Sequence, residues 1–445
     1  MKTSQSDLTQ GDIKTHIKNI ALPSSIGYFF HTMFNVTDTF FAGEISTQAL
    51  AALSLTFSIF FMIIALAGGM SQSVTALLGN ALGEKNESYA KQIVYHSGIL
   101  GLILSIFLTI IGLVLAPIFI KLLGAQDAYL QEALSYINII LYGAVFFIIV
   151  FFANAILNAL GNAKVYRNFL VGGAFANILL DFWFVKGGFG VPALGVGGIA
   201  LATVFIEIIG ALYLFLAAKK TTLFQDMPPF VFDIQIMKDF IKQGMPPTAN
   251  MLLMALGMYI ITYFIAPFGQ YAVAAYGVAV RIEQIILLPS IGINVAVLAI
   301  VSQNNGAKEF ERIKETIRET KKLGFILWII GIFFLFVFGA YFMSLFTKDT
   351  QVIAAGNAYL QAAAVSLYAY VLVFIHISLL QGIKQPALLV YLGLLRQVIV
   401  PVTFFGIFAL LDLDLQVYWW GIAATIWGSA FFILWYAKRK LNKLN

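Results

Sequence analysis

Ile99–Ile120 reads ILGLILSIFLTIIGLVLAPIFI and carries no charged side chain. As a helix rising 1.5 Å per residue, the stretch is about 33 Å long. The hydrocarbon layer of a bilayer is about 30 Å thick, so this run predicts a membrane-crossing helix. Working outward, the same pattern recurs along the whole chain, at about 18–42, 48–82, 93–122, 129–160, 168–186, 196–218, 245–267, 272–305, 324–347, 355–381, 387–411 and 416–437. Composition agrees with twelve spans. Hydrophobic residues make up 60% of the chain and charged residues 11%, against roughly 25% charged in soluble domains. The predicted class is an all-α integral membrane protein with twelve transmembrane helices, because only helices or closed barrels satisfy every backbone group in lipid.

Lys and Arg fix the orientation. With the N-terminus inside, 22 of the 27 basic residues fall on inner segments, the run Lys308 to Lys322 among them. The outer ends hold Lys121, Lys186 and Lys348, and Arg281 and Arg396 lie within spans. Both termini are expected in the cytoplasm. The polar stretch Met1 to Ile17 has no apolar core or cleavage site of a secretory signal, so the first span is expected to anchor the mature protein. The net charge of +6 follows topology rather than marking a nucleic-acid surface. There are no cysteines, and the four histidines, His16, His31, His96 and His376, show no metal spacing.

Six spans precede Lys219 to Gly244 and six follow it, which predicts an N-terminal lobe over 1–218, a cytoplasmic linker over 219–244 and a C-terminal lobe over 245–445. An offset of 223 residues places Pro23 on Pro246, Ala51-Ala52 on Ala274-Ala275, Gly69 on Gly292, Gly83 on Gly306 and Lys85 on Lys308. Such duplication is a recurring transporter design, with the substrate site between the halves near the midplane.

Ionisable and polar groups within spans narrow the functional candidates. In the first span, Ser24, Tyr28, His31, Asn35 and Asp38 are spaced four, three, four, three and share a helical stripe. A cavity-facing stripe and a helix–helix hydrogen-bond seam both fit it, but gluing helices does not require a carboxylate such as Asp38. Asn177 and Asp181 in the fifth span, and Thr203 and Glu207 in the sixth, are each four apart. The depths of Asp38, Asp181 and Thr203 agree, which allows one cluster in the first lobe. Glu207 also fits a paired structural role, and His31 reads as a neutral, hydrogen-bonded ring. The offset puts Ile261 opposite Asp38, and pairing Gly161 with Gly382 puts Val398 and Val402 opposite Asn177 and Asp181. The acidic site is therefore expected in one lobe only. Arg281 and Glu283, two apart, point to different sides; Arg281 could pair with an acid or meet substrate. Arg396 is expected to snorkel to the interface. The glycine-rich stretch Gly187–Gly198 lacks the Lys-Ser/Thr ending of a phosphate loop and reads as a tight connection.

These residues resemble the multidrug and toxic compound extrusion (MATE) family, and within it the DinF-like branch. The resemblance rests on Pro23, Asn35-Val-Thr-Asp38, Ala51-Ala-Leu, Asn177 and Asp181, Ala200-Leu-Ala-Thr203 and Ser302-Gln-Asn-Asn-Gly306, and it covers essentially the whole chain. It implies two pseudo-symmetric six-helix lobes forming a V-shaped central cavity, and export of cationic amphipathic drugs in exchange for protons or sodium. It assigns cation coupling to Asp38, Asn177, Asp181 and Thr203. Tyr136 and Asn154 match cavity polar positions, and His31, Asn35, Glu207, Arg281 and Glu283 complete the expected cavity set. The NorM branch uses acids in the seventh and tenth spans, which hold no Asp or Glu here.

The expected mechanism is proton antiport, with Pro23 as a bending point because it removes a backbone hydrogen bond. Sodium is the competing coupling ion, held by the same four side chains. A lipid-linked oligosaccharide flippase would need a basic cavity, and few Lys or Arg lie within spans. An enzyme would need a nucleophile–base pair or metal ligands, which are not evident, and acids confined to one lobe do not form a channel ring. No cofactor and no nucleic-acid partner are expected, and the chain reads as a monomer in the bilayer.

Overall fold

The computed structural model describes residues 7–122, 127–188 and 190–443. The helices run α1 (Ile13–Ile45), α2 (Thr47–Gly83), α3 (Glu87–Leu122), α4 (Asp127–Tyr142), α5 (Ala144–Ala159), α6 (Lys164–Lys186), α7 (Val196–Lys219), α8 (Ile234–Ile265), α9 (Gln270–Gly306), α10 (Phe310–Ser344), α11 (Thr350–Gly382), α12 (Leu388–Leu394), α13 (Val400–Leu410) and α14 (Leu415–Leu441). No strand occurs among the described residues. Lys2 and Phe189 lie outside them.

Among the described residues, nine of these helices, and α12 continued into α13, are long and apolar enough to cross a membrane, and α4 with α5, bent by 47°, makes an eleventh span. The twelfth is α1, whose 33 residues suffice; its polar stripe and Lys14 and Lys18 dilute its apolarity. The fourth span, expected as one helix, is broken at Gly143. A Cβ there would lie 2.5 Å from Val204 Cγ2, so the break packs tightly on α7. The α8 helix starts at Ile234 instead of near 245, because Ile236, Met237 and Phe240 are buried in an apolar cluster with Leu77 and Ala81. The helix runs through Pro246 and Pro247. Between α12 and α13 the chain forms a π-turn over Leu395–Ile399. Pro401 is its cause, since it offers no N–H to the Gln397 carbonyl four residues back.

The helices form two units, Ile26–Gly244 in one and Leu8–Ser25 with Met245–Asn445 in the other. The sequence division gave all of 1–218 to the first lobe, but the first half of α1 packs with the second. Gly292 explains this local fit. A Cβ on it would stand 2.4 Å from the Ala21 carbonyl, so only glycine lets α1 and α9 approach so closely. Upstream, the Leu8 N–H donates to Gln303 Oε1 at 2.9 Å and Asn304 Nδ2 donates to the Leu8 carbonyl at 3.0 Å.

The duplication is visible in the backbone. Lys85 and Lys308 both adopt left-handed conformations, at φ 54 and φ 61. Asn86 N donates to Ala81 O at 3.1 Å, and Glu309 N, 223 residues on, donates to Asn304 O at 2.8 Å. The same closure ends α5 and α11. Gly161 and Lys384 have φ 74 and φ 58, with Asn162 N bonded to Leu157 O at 2.8 Å and Gln385 N to Leu380 O at 2.7 Å. The offset is 223 here too, so pairing Gly161 with Gly382 was two residues out. Asn177 and Asp181 stand opposite Val400 and Phe404 rather than Val398 and Val402, and neither of those is acidic.

Candidate functional site

Three helices of the first unit converge on Asp38. It lies near the end of α1 and is 6% exposed. Asn177 Nδ2 donates to its Oδ1 at 3.2 Å, and Thr203 Oγ1 donates to its Oδ2 at 3.4 Å. Asn177 and Asp181 are both fully buried, one turn apart on α6. The Asp181 carboxyl faces that of Asp38, and neither Asp181 oxygen meets a donor. Nor does Asn177 Oδ1. Tyr136 of α4 is buried within electrostatic reach of both carboxyls. Tyr136 belongs to a buried apolar cluster that also holds Ala42, Ile137, Ile199 and Ala200. Among the described residues, every ion pair lies elsewhere, so no Lys, Arg or His neutralises either acid.

Glycines set this geometry. Gly187, at φ 77, turns the chain after α6, and a Cβ there would sit 2.8 Å from Ala193 N. Gly198 on α7 lies against the end of α6, where a Cβ would meet Phe184 O at 2.6 Å. Trp183 Nε1 donates to Gly188 O at 2.8 Å and Leu194 N to Phe184 O at 3.0 Å, which close the connection. The helices carrying Asp181 and Thr203 are therefore in backbone contact just beyond the site.

The structure leaves the other sequence candidates outside this cluster. His31 is half-buried and its ring lies 6.1 Å from that of Phe34. Asn35 is exposed. Asn35 and Asp38 are three residues apart, which sets them about 60° apart around the helix, and Asp38 is buried where Asn35 is exposed. Asn154 is buried on α5 with its Oδ1 unpartnered, and it is not a partner of Asp38. Glu207 is half-buried near Tyr166, whose ring packs edge-on against that of Tyr28. Pro23 is buried in the part of α1 that packs with the second unit.

Arg281 and Glu283 separate as their spacing predicts: Arg281 is exposed and Glu283 buried. Tyr359 Oη donates to Glu283 Oε2 at 2.7 Å. Tyr276 and Trp419 close around Tyr359, with ring centroids 5.5 and 5.3 Å from it. Sequence reading missed Tyr359, although the offset of 223 places it opposite Tyr136. Arg396 does not snorkel. It is 4% exposed inside the π-turn, and its Nη1 has no partner. The extra residue in that turn rotates it away from the interface.

The family described as MatE matches residues 23–183 and 246–404, one segment in each half of the duplication. The probable multidrug resistance protein YoeA of Bacillus subtilis is 28% identical over 333 residues, covering 74% of this chain and 71% of that protein. An FAD transporter of Shewanella oneidensis is 26% identical, covering 86% of this chain and 85% of that one. A Pyrococcus furiosus transporter of the MOP superfamily, whose crystal structure is described by a reversed polarity of its binding pocket, superposes with a TM-score of 0.92 at 25% identity, over 100% of this chain and 99% of that one. With both halves matched and the fold shared from end to end, the chain belongs to the MatE family of multi-pass membrane transporters and is not an enzyme.

Proposed function

We propose that this chain exports cationic amphipathic compounds in exchange for protons, in the manner of the DinF-like branch, with the first lobe performing the coupling. The observation that carries this reading is the Asp38–Asp181 pair, two buried carboxyls face to face without a basic partner. An unpaired buried charge costs several kcal/mol. Two donors to Asp38, worth about 1.5–3 kcal/mol each, cannot offset two such charges. A single cation leaves one net negative charge, which the donors to Asp38 can offset.

A proton fits that role directly. On a carboxyl of Asp181 it turns an acceptor into a donor, and the Asp181 hydroxyl then bonds Asp38. Asp38 thereby gains a third donor beside Asn177 and Thr203. Loss of the proton breaks that bond and leaves the two carboxylates repelling each other across α1 and α6. The far half of α1 is free to respond, because Pro23 offers no N–H to the Asn19 carbonyl and weakens the helix there. Drug and proton exchange only if drug binding differs between the two states. The distribution of Lys and Arg supports placing both termini in the cytoplasm.

Sodium is a second reading with its own support. Asp181 Oδ1, Asp181 Oδ2 and Asn177 Oδ1 are buried oxygens without donors, the hard ligand type that such a cation takes. Reconstituted vesicles separate the two. Ethidium export driven by a pH gradient, with sodium clamped to zero on both sides, is the expected result. Export that requires a sodium gradient and ignores pH would replace the proton reading.

A further inference from the structure

Lys314, Arg318 and Lys321 follow one another at i, i+4 and i+7 along the first turns of α10, and Phe325 continues the same face one turn further. With Lys322 and with Tyr368 of α11 they line an open groove of about 550 Å³. The groove sits where the charge of α10 stops and its apolar run begins. Beyond it Phe325, Ile326, Ile329 and Phe333 are exposed along the helix. The rings of Phe325, Trp328 and Tyr368 lie 5.3 to 5.8 Å apart and Trp328 Nε1 donates to Ala364 O at 2.9 Å, which fixes an aromatic floor where the apolar run of α10 begins, the kind of ring cluster that membrane interfaces favour. Acids do not balance the groove. Glu319 accepts from Lys322 at 2.8 Å and from Arg318 Nε at 3.3 Å, and Lys14 stands 3.8 Å from it. Glu311 holds Lys314 at 2.7 Å. Lys321 is half-buried and makes no ion pair among the described residues.

We propose that this groove binds one anionic phospholipid, its phosphate between Lys321 and Arg318 and an acyl chain along Phe325, Ile326 and Ile329. The cation surplus supplies the phosphate contact, and the aromatic floor supplies the seat for the glycerol region. A headgroup that adds an amine charge to the phosphate gains less there. Each basic side chain near an anionic membrane surface contributes roughly a fivefold gain in affinity.

Native mass spectrometry of the full chain, released from detergent with phosphatidylglycerol or phosphatidylcholine, tests the site. The expected result is retention of phosphatidylglycerol about fivefold above phosphatidylcholine, and loss of that preference in Lys321→Gln. Lys440→Gln, which removes the same charge from α14, is expected to retain it. Equal retention of the two lipids, or equal loss in both variants, overturns the proposal. Displacement of the lipid by millimolar inorganic phosphate would reassign the groove to free phosphate. Thermal unfolding of each variant in lipid-free detergent separates loss of the site from loss of the fold.

Discussion

The two lobes share a backbone register but bury their acids at different places. In the first, Asp38, Asn177, Asp181 and Thr203 gather beside Tyr136. At the same offset, the second lobe has Ile261, Val400, Phe404 and Ile426 at the equivalent positions, and Tyr359 in place of Tyr136. There the tyrosine meets Glu283 of α9 instead, and the position opposite Glu283 in the first lobe is Phe60. One tyrosine position thus lies near the Asp38 and Asp181 carboxyls in one lobe and donates to Glu283 of α9 in the other. The first arrangement leaves a carboxyl pair short of donors, whereas the second ties one oxygen of a single carboxyl to a hydroxyl within packed rings and leaves its Oε1 without a donor. Duplication fixed the scaffold, and point differences decided which half buries the carboxyl pair.

The lobes also bend differently. The break at Gly143 has no counterpart in α11, which runs unbroken through Ser366. The π-turn at Leu395–Ile399 has none in α6. Each departure has a local cause, Val204 packed on Gly143 in one case and Pro401 in the other.

The sharpest way to break the comparison is to neutralise one acid in each lobe. Asp38→Asn is expected to reduce gradient-driven ethidium export in vesicles to background, a loss of roughly 100-fold. Glu283→Gln retains an acceptor for Tyr359 and is expected to stay within about threefold of the parent. Comparable losses in both would mean that the second lobe shares the coupling.

Paired glycines give the next effect. Gly198 and Gly421 are equivalent, but a Cβ on Gly198 meets backbone at 2.6 Å and one on Gly421 meets the far end of the Phe408 ring at 2.7 Å. Gly198→Ala is expected to destabilise the chain by about 1–3 kcal/mol, and Gly421→Ala by less, because a ring can shift. Thermal unfolding in detergent ranks them. Tyr359→Phe should cost about 1–3 kcal/mol by leaving Glu283 without its donor. Tyr136→Phe, whose hydroxyl makes no bond to Asp38, should cost less.

The smallest effect lies at the start of α1. The Thr15 hydroxyl donates to Asp12 Oδ2 at 2.7 Å and the Thr15 N–H at 2.8 Å. These bonds, the hydroxyl first, hold the Asp12 carboxyl below its ordinary range. A depressed folded value means that the cap is intact above the unfolded pKa of roughly 4 and is lost as pH falls through the folded one. Hydrogen exchange at Thr15 should therefore quicken only below about pH 4.

Much of this was legible in the sequence. Uncharged runs such as Ile99–Ile120 leave no other fold, and the spacing of Asn177 and Asp181 placed two polar groups on one face before any coordinates. The depth agreement of Asp38 and Thr203 brought in the other helices. The rest was hidden for physical reasons. Glycine is common in membrane helices, so nothing marks Gly143 as a break until Val204 packs on it. Pro246 and Pro247 read as a helix start, but buried Phe240 carries α8 back to Ile234. Arg396 near a span end reads as a snorkelling residue unless the missing N–H of Pro401 is counted into the turn before it. Tyr359 could have been found, since the offset that matched Lys85 to Lys308 also matches it to Tyr136.

Proton release on drug binding tests the coupling claim most directly. Purified protein in weakly buffered, sodium-free detergent is mixed with ethidium while a pH dye follows the solution. The account predicts about one proton released per transporter, preserved in Glu283→Gln and absent in Asp38→Asn. Release of the same size from Asp38→Asn would contradict it.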